Sequence, residues 1–247
     1  MAIATLREIL IESPNNGGAL NELALALHDY STLLYFRNRK EESKTAHLEA
    51  FDIRKKLFQR ASYIPGHRTF LARSYSSQGY YDRAEGNHES SIAQYQAAAD
   101  LLRPLLEKSP DVYEYHLDLV NTMINQLKSC MAANNLKQGR PLFEQVFIRL
   151  TVAVQRFPKD QTILSLSTPW QHHWAVFLWE EGQANYAHVV EKQSIAASLA
   201  LLTLKPQMTP NEEARLANHL AWQISVAPMP ELRDPKKGIE LSRRSAS

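Results

Sequence analysis

The clearest chemical signal in this sequence is a set of histidines and acids between residues 172 and 188. His172 and His173 are adjacent, and Glu180, Glu181 and His188 follow them. Imidazole and carboxylate groups bind zinc, but a zinc site needs ligands that converge, and the His-Glu-x-x-His spacing is not met. Adjacent side chains on a helix point about 100° apart, so His172 and His173 do not readily share one ion. We interpret them as surface or groove histidines and predict no metal site.

The cysteine and the tryptophans also invite a chemical interpretation. Cys130 is the single cysteine and has no close histidine or CxxC companion, which favours a buried helix thiol over a nucleophile. Trp170, Trp174 and Trp179 are four and five residues apart, which favours core packing over a ligand cage. Trp222 is interpreted in the same way. No pattern points to a cofactor, and none is predicted.

The charge balance excludes the usual pattern of a nucleic-acid binder. The chain has 28 basic and 26 acidic residues, a formal charge of +2, and only short basic runs such as Arg37-Asn38-Arg39-Lys40. Nucleic-acid binding normally needs a clustered basic stripe. No apolar run approaches the ~20 residues that cross a bilayer, and Met1–Ile11 lacks the shape of a signal peptide. A single cysteine fits a reducing compartment, so we predict a cytoplasmic protein.

A proline grid predicts that the chain is built of repeats. Four prolines stand on positions separated by 48 residues or twice that number: Pro14, Pro110, Pro158 and Pro206. Ser62 occupies the missing grid point, and Pro65 follows it closely. Apolar residues recur at the same interval, as at Leu23, Leu71 and Leu119. Because proline lacks an N–H and cannot continue a helix, the grid predicts joints between helical units.

Each predicted repeat contains two amphipathic helices, a first helix A and a second helix B. The A helices are predicted at Ala19–Phe36, Arg68–Glu85, Val112–Ala133, Pro169–Glu181 and Asn211–Val226. The B helices are predicted at Glu41–Arg60, His88–Lys108, Gln138–Phe157, Gln183–Leu204 and Lys236–Ala246. The turns from A to B contain residues that tolerate a left-handed cap: Asn38, Gly86, Asn134 and Gly182. The predicted fold class is all-α.

Two prolines and one polar segment disturb this helical pattern. Thr168-Pro169 predicts an N-cap followed by proline at the first helical position. Pro104 falls inside a B helix and predicts a kink or a break near Leu101–Leu102. The segment Asp160–Leu166 is interpreted as a short extra turn.

The grid also sets the expected repeat borders. We predict one solenoid over residues 1–247, with a partial helix at 1–13 and repeats at 14–61, 62–109, 110–157, 158–205 and 206–247. Leu6–Glu12 matches the second half of a B helix, and the last repeat is truncated. Solenoids usually finish in a polar cap, and neither end clearly supplies one, so both ends look cut.

The second repeat resembles the tetratricopeptide repeat (TPR), a two-helix interaction module, at Gly79, Gly86, Tyr95 and Ala98. The first and third repeats depart from that pattern, with Ser31 and Leu127 at the position of Gly79. The period near 48 residues exceeds the ~34 of the standard repeat, so helix B or the joint must be longer here. The resemblance implies an α-solenoid of about five TPR-like hairpins and a role in protein binding.

A second resemblance spans nearly the whole chain and is strongest from Leu216 to Arg243. The stretches Pro110–Leu117, Leu216–Gln223 and Leu232–Pro235 are similar to the repeat tails of large bacterial serine/threonine protein kinases. This resemblance implies a regulatory or substrate-recruiting tail as one alternative function. The sequence itself has no Gly-rich phosphate loop, no His-Arg-Asp and no Asp-Phe-Gly, so we do not predict an enzyme.

The helix A face is where the family resemblance places a partner. Stacked A helices form a concave surface in such solenoids, and extended partner segments bind there. The TPR groove positions, carried onto this chain, are His28, Thr32, Tyr35, Arg73, Ser76, Tyr80, Arg83, Asn121, Lys128 and His172. These residues are basic, polar and aromatic, and arginine and tyrosine are favoured at interfaces. We predict a peptide or protein partner that carries acidic groups.

The function predicted from the sequence is a non-catalytic protein-interaction scaffold. Three alternatives stay open: the kinase tail, an enzyme with an unrecognised site at His172 and His173, and a structural stack that self-associates end to end. The opposing interpretation of the groove is a solvated face with no partner.

Overall fold

A computed structural model of the protein describes residues 2–203, 209–227 and 229–245. Regular structure in these ranges is helical, without a strand. Inter-residue contacts divide the chain into two compact units, Met1–Arg140 and Pro141–Ser247. None of the helices in the described ranges is long and apolar enough to cross a bilayer.

Unit 1 contains six helices and the start of a seventh. They are α1 (Ala2–Glu12), α2 (Gly17–Phe36), α3 (Lys40–Arg60), α4 (Pro65–Ala84), α5 (His88–Lys108), α6 (Tyr113–Ala132) and α7 (Leu136–Arg156). Helix α2 packs on α3, and α4 packs on α5, as successive hairpins. Helix α1 adds Ile3, Leu6 and Leu10 to the core of the first hairpin.

Unit 2 contains the rest of α7 and the helices that follow. They are α8 (Gln161–Glu180), α9 (Ala184–Thr203), α10 (Pro210–Val226), a 3-10 turn (Pro230–Leu232) and α11 (Pro235–Ser245). Helix α8 packs on α9, and α10 packs on α11. The predicted all-α fold, a solenoid of TPR-like hairpins, is confirmed. The exact repeat borders stay a prediction.

The turns between the A and B helices have the predicted left-handed backbone. The φ angles are positive at Asn38 (59°), Gly86 (81°), Asn134 (53°) and Gly182 (77°). Glycine and asparagine adopt this conformation more easily than other residues, which explains their place after α2, α4, α6 and α8.

The fourth A helix begins eight residues before its predicted start. Helix α8 starts at Gln161 because Asp160 is its N-cap, with Oδ1 accepting a hydrogen bond from the Ile163 N–H at 2.8 Å. The predicted cap at Thr168 is therefore wrong, since Thr168 is buried within the helix. The segment Asp160–Leu166 is likewise the cap and opening of α8 rather than a separate turn. Pro169 lies inside the helix.

Helix α5 continues through Pro104, so the break that was one of the two expectations there is wrong, while the kink stays a prediction. Pro104 itself is exposed, while Leu102, Leu105 and Leu106 around it are buried. Burial of these leucines offsets the one helical hydrogen bond that proline cannot donate. Three further predicted positions, Pro206, Leu204 and Ala246, lie outside the described residues.

Serine side chains tie helix A to helix B in two hairpins of unit 1. The Ser43 Oγ donates to the Ser31 carbonyl at 2.7 Å, and the Ser91 Oγ donates to the Gly79 carbonyl at 2.6 Å. Each tie spans 12 residues, and the two ties are 48 residues apart in sequence. At these two pairs, helix A and helix B of a hairpin lie close together. At Gly79 an added Cβ would lie 3.0 Å from the Tyr95 ring, so a larger residue does not fit there without movement.

A hydroxyl group of the following A helix also contacts the B-helix serine of each tie. The Tyr81 hydroxyl lies 2.7 Å from the Ser43 Oγ, and the Ser129 Oγ lies 2.8 Å from the Ser91 Oγ. Tyr81 and Ser129 are also 48 residues apart. The repeat interval read from the prolines therefore recurs in the hydrogen bonds between hairpins.

Candidate functional site

The A-helix face of unit 1 contains an open pocket of about 310 Å³. Side chains from the A helices α2, α4 and α6 line it, together with Tyr95 and Leu102 of α5. Five of the predicted groove residues are among them: His28, Arg73, Ser76, Tyr80 and Asn121. The spacing of the A helices thus brings together half of the residues that the family resemblance selected.

One stripe of α4 supplies most of this surface. Arg73, Ser76, Tyr80 and Arg83 are three, four and three residues apart, which places them on one side of the helix. The opposite side of α4 is fixed in the core by buried residues such as Leu71. The stripe therefore faces outward because the apolar side of the helix is buried.

Arg73 is paired with an acid that the sequence interpretation missed. The Arg73 Nε donates to Asp118 Oδ2 at 2.9 Å, and the two side chains are 43% and 18% exposed. Burial raises the pKa of Asp118, although the charge of Arg73 opposes the shift. Asp118 stands three residues before Asn121 on α6, so helical spacing from a predicted residue was the signal for it.

A buried arginine lies close to this pocket. Arg54 of α3 is 4% exposed, donates from Nη1 to the Ser74 Oγ at 2.8 Å, and lies 5.5 Å from the centre of the Phe70 ring. Burial lowers the pKa of Arg54 to about 10, and the charge of Arg73 adds to the effect. Burial and then Arg54 lower the pKa of His28. Asp29 acts in the opposite direction on the pKa values of both groups, so basic groups and a carboxylate share this part of the unit.

A second group of cations lies toward the end of α4. The Tyr35 and Tyr80 hydroxyls are 2.6 Å apart, and the guanidinium of Arg83 lies 5.9 Å from the centre of the Tyr80 ring. The Arg83 Nη1 reaches the Asn125 carbonyl at 3.5 Å. Partial burial and the charge of Arg83 lower the pKa of Lys128, an effect that requires the two cations to be near each other.

Two predicted site residues do not join this surface. Thr32 is exposed and donates from Oγ1 to the His28 carbonyl of its own helix at 3.1 Å. His172 belongs to unit 2 and is 2% exposed, so its side chain lies in the interior rather than on an accessible face.

The partner of His172 is a buried acid, Glu191 of α9. The His172 Nδ1 donates to the Glu191 carboxylate, at 2.8 Å from Oε1 and 3.0 Å from Oε2. Gln223 of α10 donates from Nε2 to Glu191 Oε1 at 3.2 Å and to the Ser194 Oγ at 2.8 Å. The Ser194 Oγ in turn donates to the Thr168 carbonyl at 2.9 Å. This network joins α8, α9 and α10 inside unit 2, and no sequence spacing pointed to Glu191.

The histidines and acids near residue 180 do not assemble into one site. His188 Nδ1 pairs with Glu231 at 2.9 Å, and His172 pairs with Glu191, while Glu180 and Glu181 are exposed. Across the described ranges, no three His, Cys, Asp or Glu side chains are grouped so as to hold a metal ion.

The tryptophan and cysteine predictions have different outcomes. Trp174 is 4% exposed and packs against Phe143 and Phe147, as predicted for a core residue. Trp222 is 54% exposed, so its prediction as core is wrong; its ring lies 5.3 Å from that of His172. Cys130 is fully buried as predicted, and burial raises the pKa of its thiol.

Comparisons with known proteins give structural neighbours and no family. No protein-family model matches the chain. No curated protein matches it either. One similar solved structure is a thermophilic TPR protein of Thermus thermophilus, with 14% identity and a TM-score of 0.36, covering 91% of this chain and 100% of that one. Another is an IFIT1 monomeric mutant with Gppp-AAAA, with 15% identity and a TM-score of 0.37, covering 99% of this chain.

This chain spans 57% of the length of the IFIT1 structure. Both similarities are distant in sequence and in coordinates. The fold assignment therefore depends on the hairpins, caps and ties of this chain and takes nothing from its neighbours.

Proposed function

We propose that this protein is a non-catalytic interaction scaffold whose A-helix face in unit 1 binds an acidic peptide segment of a partner protein. One observation supports the proposal above the others. The pocket is open, and four cations lie on, beneath or beside it: Arg54, Arg73, Arg83 and Lys128. The nearby carboxylates are fewer: Asp118 lines the pocket, and Asp29 and Glu114 lie near enough to affect the pKa values of Arg54 and Asp118.

The charge arrangement favours an acidic partner for a physical reason. Like charges held near one another raise the free energy of the unbound face, and a partner carboxylate relieves that repulsion. Burial is the main cause of the lowered pKa values of Arg54 and Lys128, and the charges of Arg73 and Arg83, respectively, add to it. Because the side chains lie on helices already packed in the unit, little ordering is needed on binding.

The direct test is charge reversal on the face. In the full chain, Arg73→Glu and Arg83→Glu are introduced together, and binding of a fluorescein-labelled oligoglutamate peptide is measured by fluorescence anisotropy. We expect binding to the native protein at low salt, weakening with added salt, and a loss of about tenfold or more in the double variant.

Lys56→Glu combined with Lys108→Glu is the matched control, because both lysines are exposed, on α3 and α5, and neither lines the pocket. This control changes the net charge by the same amount as the arginine double variant. Equal loss in the control would show non-specific attraction to a basic protein, and no binding to the native chain would contradict the proposal. Circular dichroism of both variants shows whether the fold is kept.

A second candidate function is recruitment of substrates to a serine/threonine kinase domain on the same polypeptide. The resemblance from Leu216 to Arg243 favours it. Mass spectrometry of the protein isolated from its natural source tests it, since peptides carrying a His-Arg-Asp loop would belong to the same chain. A cytoplasmic location, which the buried thiol of Cys130 suits, stays a prediction as well.

A further inference from the structure

The two cationic groups of unit 1 lie at defined positions along one stripe of α4. The first is centred on Arg73, which is held by Asp118, and the second on Arg83, which reaches the Asn125 carbonyl. We call these the first and second cationic stations. Tyr80, on the same stripe of α4, lies between them in sequence and lines the pocket.

The distance between the stations follows from helix geometry. Arg73 and Arg83 are ten residues apart on α4, a rise of about 15 Å. Their contacts on α6, Asp118 and Asn125, are seven residues apart, a rise of about 10 Å. The charged ends of the two arginines are therefore separated by about 10–15 Å in the direction of α4 and α6.

An extended chain matches this distance at one spacing. Extended backbone advances about 3.3 Å per residue, so 10–15 Å corresponds to about three to five residues. Side chains alternate sides along an extended chain, so only even spacings direct both side chains to the same face. A spacing of four meets both conditions, at about 13 Å. In a helix the same spacing would bring the acids to only about 6 Å, too short to reach both stations.

We infer that the partner segment binds in extended form and carries two carboxylate groups four residues apart, one for each cationic station. This inference rests on the proposed function and adds the spacing that the groove selects. Arginine suits both positions because its guanidinium can donate two parallel hydrogen bonds to one carboxylate.

The test uses labelled peptides of glycine and serine, which have weak helix propensity, with two glutamates in each. The glutamates stand two, four or eight positions apart, so the net charge is constant. Binding to the full chain is measured by fluorescence anisotropy at low salt. We expect the peptide with spacing four to bind about fivefold more tightly than the other two, the gain of one additional exposed ion pair.

Single substitutions test the contribution of each cationic station separately. Arg83→Glu should remove the preference for spacing four, and so should Arg73→Glu, while Lys56→Glu should keep it. Equal binding at all three spacings, or a preference that survives Arg83→Glu, would overturn the inference and leave the acidic groove in place. Failure of every acidic peptide to bind more tightly than the peptide of glycine and serine alone would overturn the proposed function itself.

Discussion

The two units each contain an acid–base pair, and burial gives the pairs opposite roles. In unit 1 the Arg73–Asp118 pair is 43% and 18% exposed and lines an open pocket. In unit 2 the side chains of the His172–Glu191 pair are 3% and 0% exposed, and the pair lies within a network that joins α8, α9 and α10. Residues of similar chemistry thus serve an accessible face in one unit and internal packing in the other. The accessible pair can exchange partners, and the enclosed pair cannot.

The unit 2 pair has the larger expected effect on stability. Glu191→Ala leaves His172 and Gln223 without their shared acceptor in the interior. Removal of one member of a buried pair costs about 3–5 kcal/mol, so we expect the free energy of unfolding of unit 2 to fall by that amount. Urea unfolding followed by tryptophan fluorescence measures it, because all four tryptophans belong to this unit. Glu180→Ala, at an exposed position, is the control.

If Glu191→Ala and Glu180→Ala unfold at the same urea concentration, the network around Glu191 contributes nothing to unit 2. The contrast between the two pairs would then disappear.

Among the buried histidines of unit 1, His47 has basic groups rather than an acid as its titratable neighbours. His47 is 1% exposed, and burial, followed by the charges of His28, Arg54 and Lys55, lowers its pKa to about 4. The unfolded chain therefore takes up a proton more readily than the folded chain between pH 6.5 and 4. Above pH 6.5 His47 is neutral in both the folded and the unfolded chain and does not lower the free energy of unfolding. As the pH falls from 6.5 to 4, the free energy of unfolding decreases by about 3 kcal/mol.

His47→Phe should flatten this pH dependence, since phenylalanine suits the contacts with the Phe51 and Tyr81 rings and takes up no proton. Urea unfolding followed by circular dichroism from pH 7 to pH 4 is the measurement. A variant with the native pH profile would show that other groups control it.

The exposed pair of unit 1 has the smallest expected effect. Asp118→Asn removes the carboxylate that Arg73 contacts, and exposed pairs contribute about 0.2–1 kcal/mol, so the free energy of unfolding should change by no more than that. Binding of an oligoglutamate peptide should be kept or strengthened, because a competing negative charge is lost. Urea unfolding and anisotropy measure the two effects. A large loss of stability would make the Arg73–Asp118 pair a structural element like that of unit 2.

Most helix positions could be predicted from the sequence because proline, glycine and asparagine act locally. Helix α5 matches its predicted bounds, and Asn38 and Gly86 cap helices as expected. The start of α8 was missed because two signals compete there. Thr168-Pro169 resembles a helix start, but the Asp160 cap and buried Ile163 and Leu164 begin the helix earlier.

The candidate site was predictable where helical spacing determines a face. The TPR resemblance selected the α4 stripe from Arg73 to Arg83, and helical spacing places its members on one face. His172 could not be placed correctly, because its burial depends on Glu191, 19 residues away on another helix. The exposure of Trp222 also depends on tertiary packing and has no local signal.

Folding kinetics follow from the serine ties of unit 1. Each tie joins residues only 12 positions apart, and the bonds from Tyr81 and Ser129 connect a hairpin to the one after it. Short sequence separations make loop closure inexpensive in entropy. We expect nucleation within a single hairpin of unit 1 and propagation to its neighbour, so that a shortened array keeping whole hairpins still folds cooperatively.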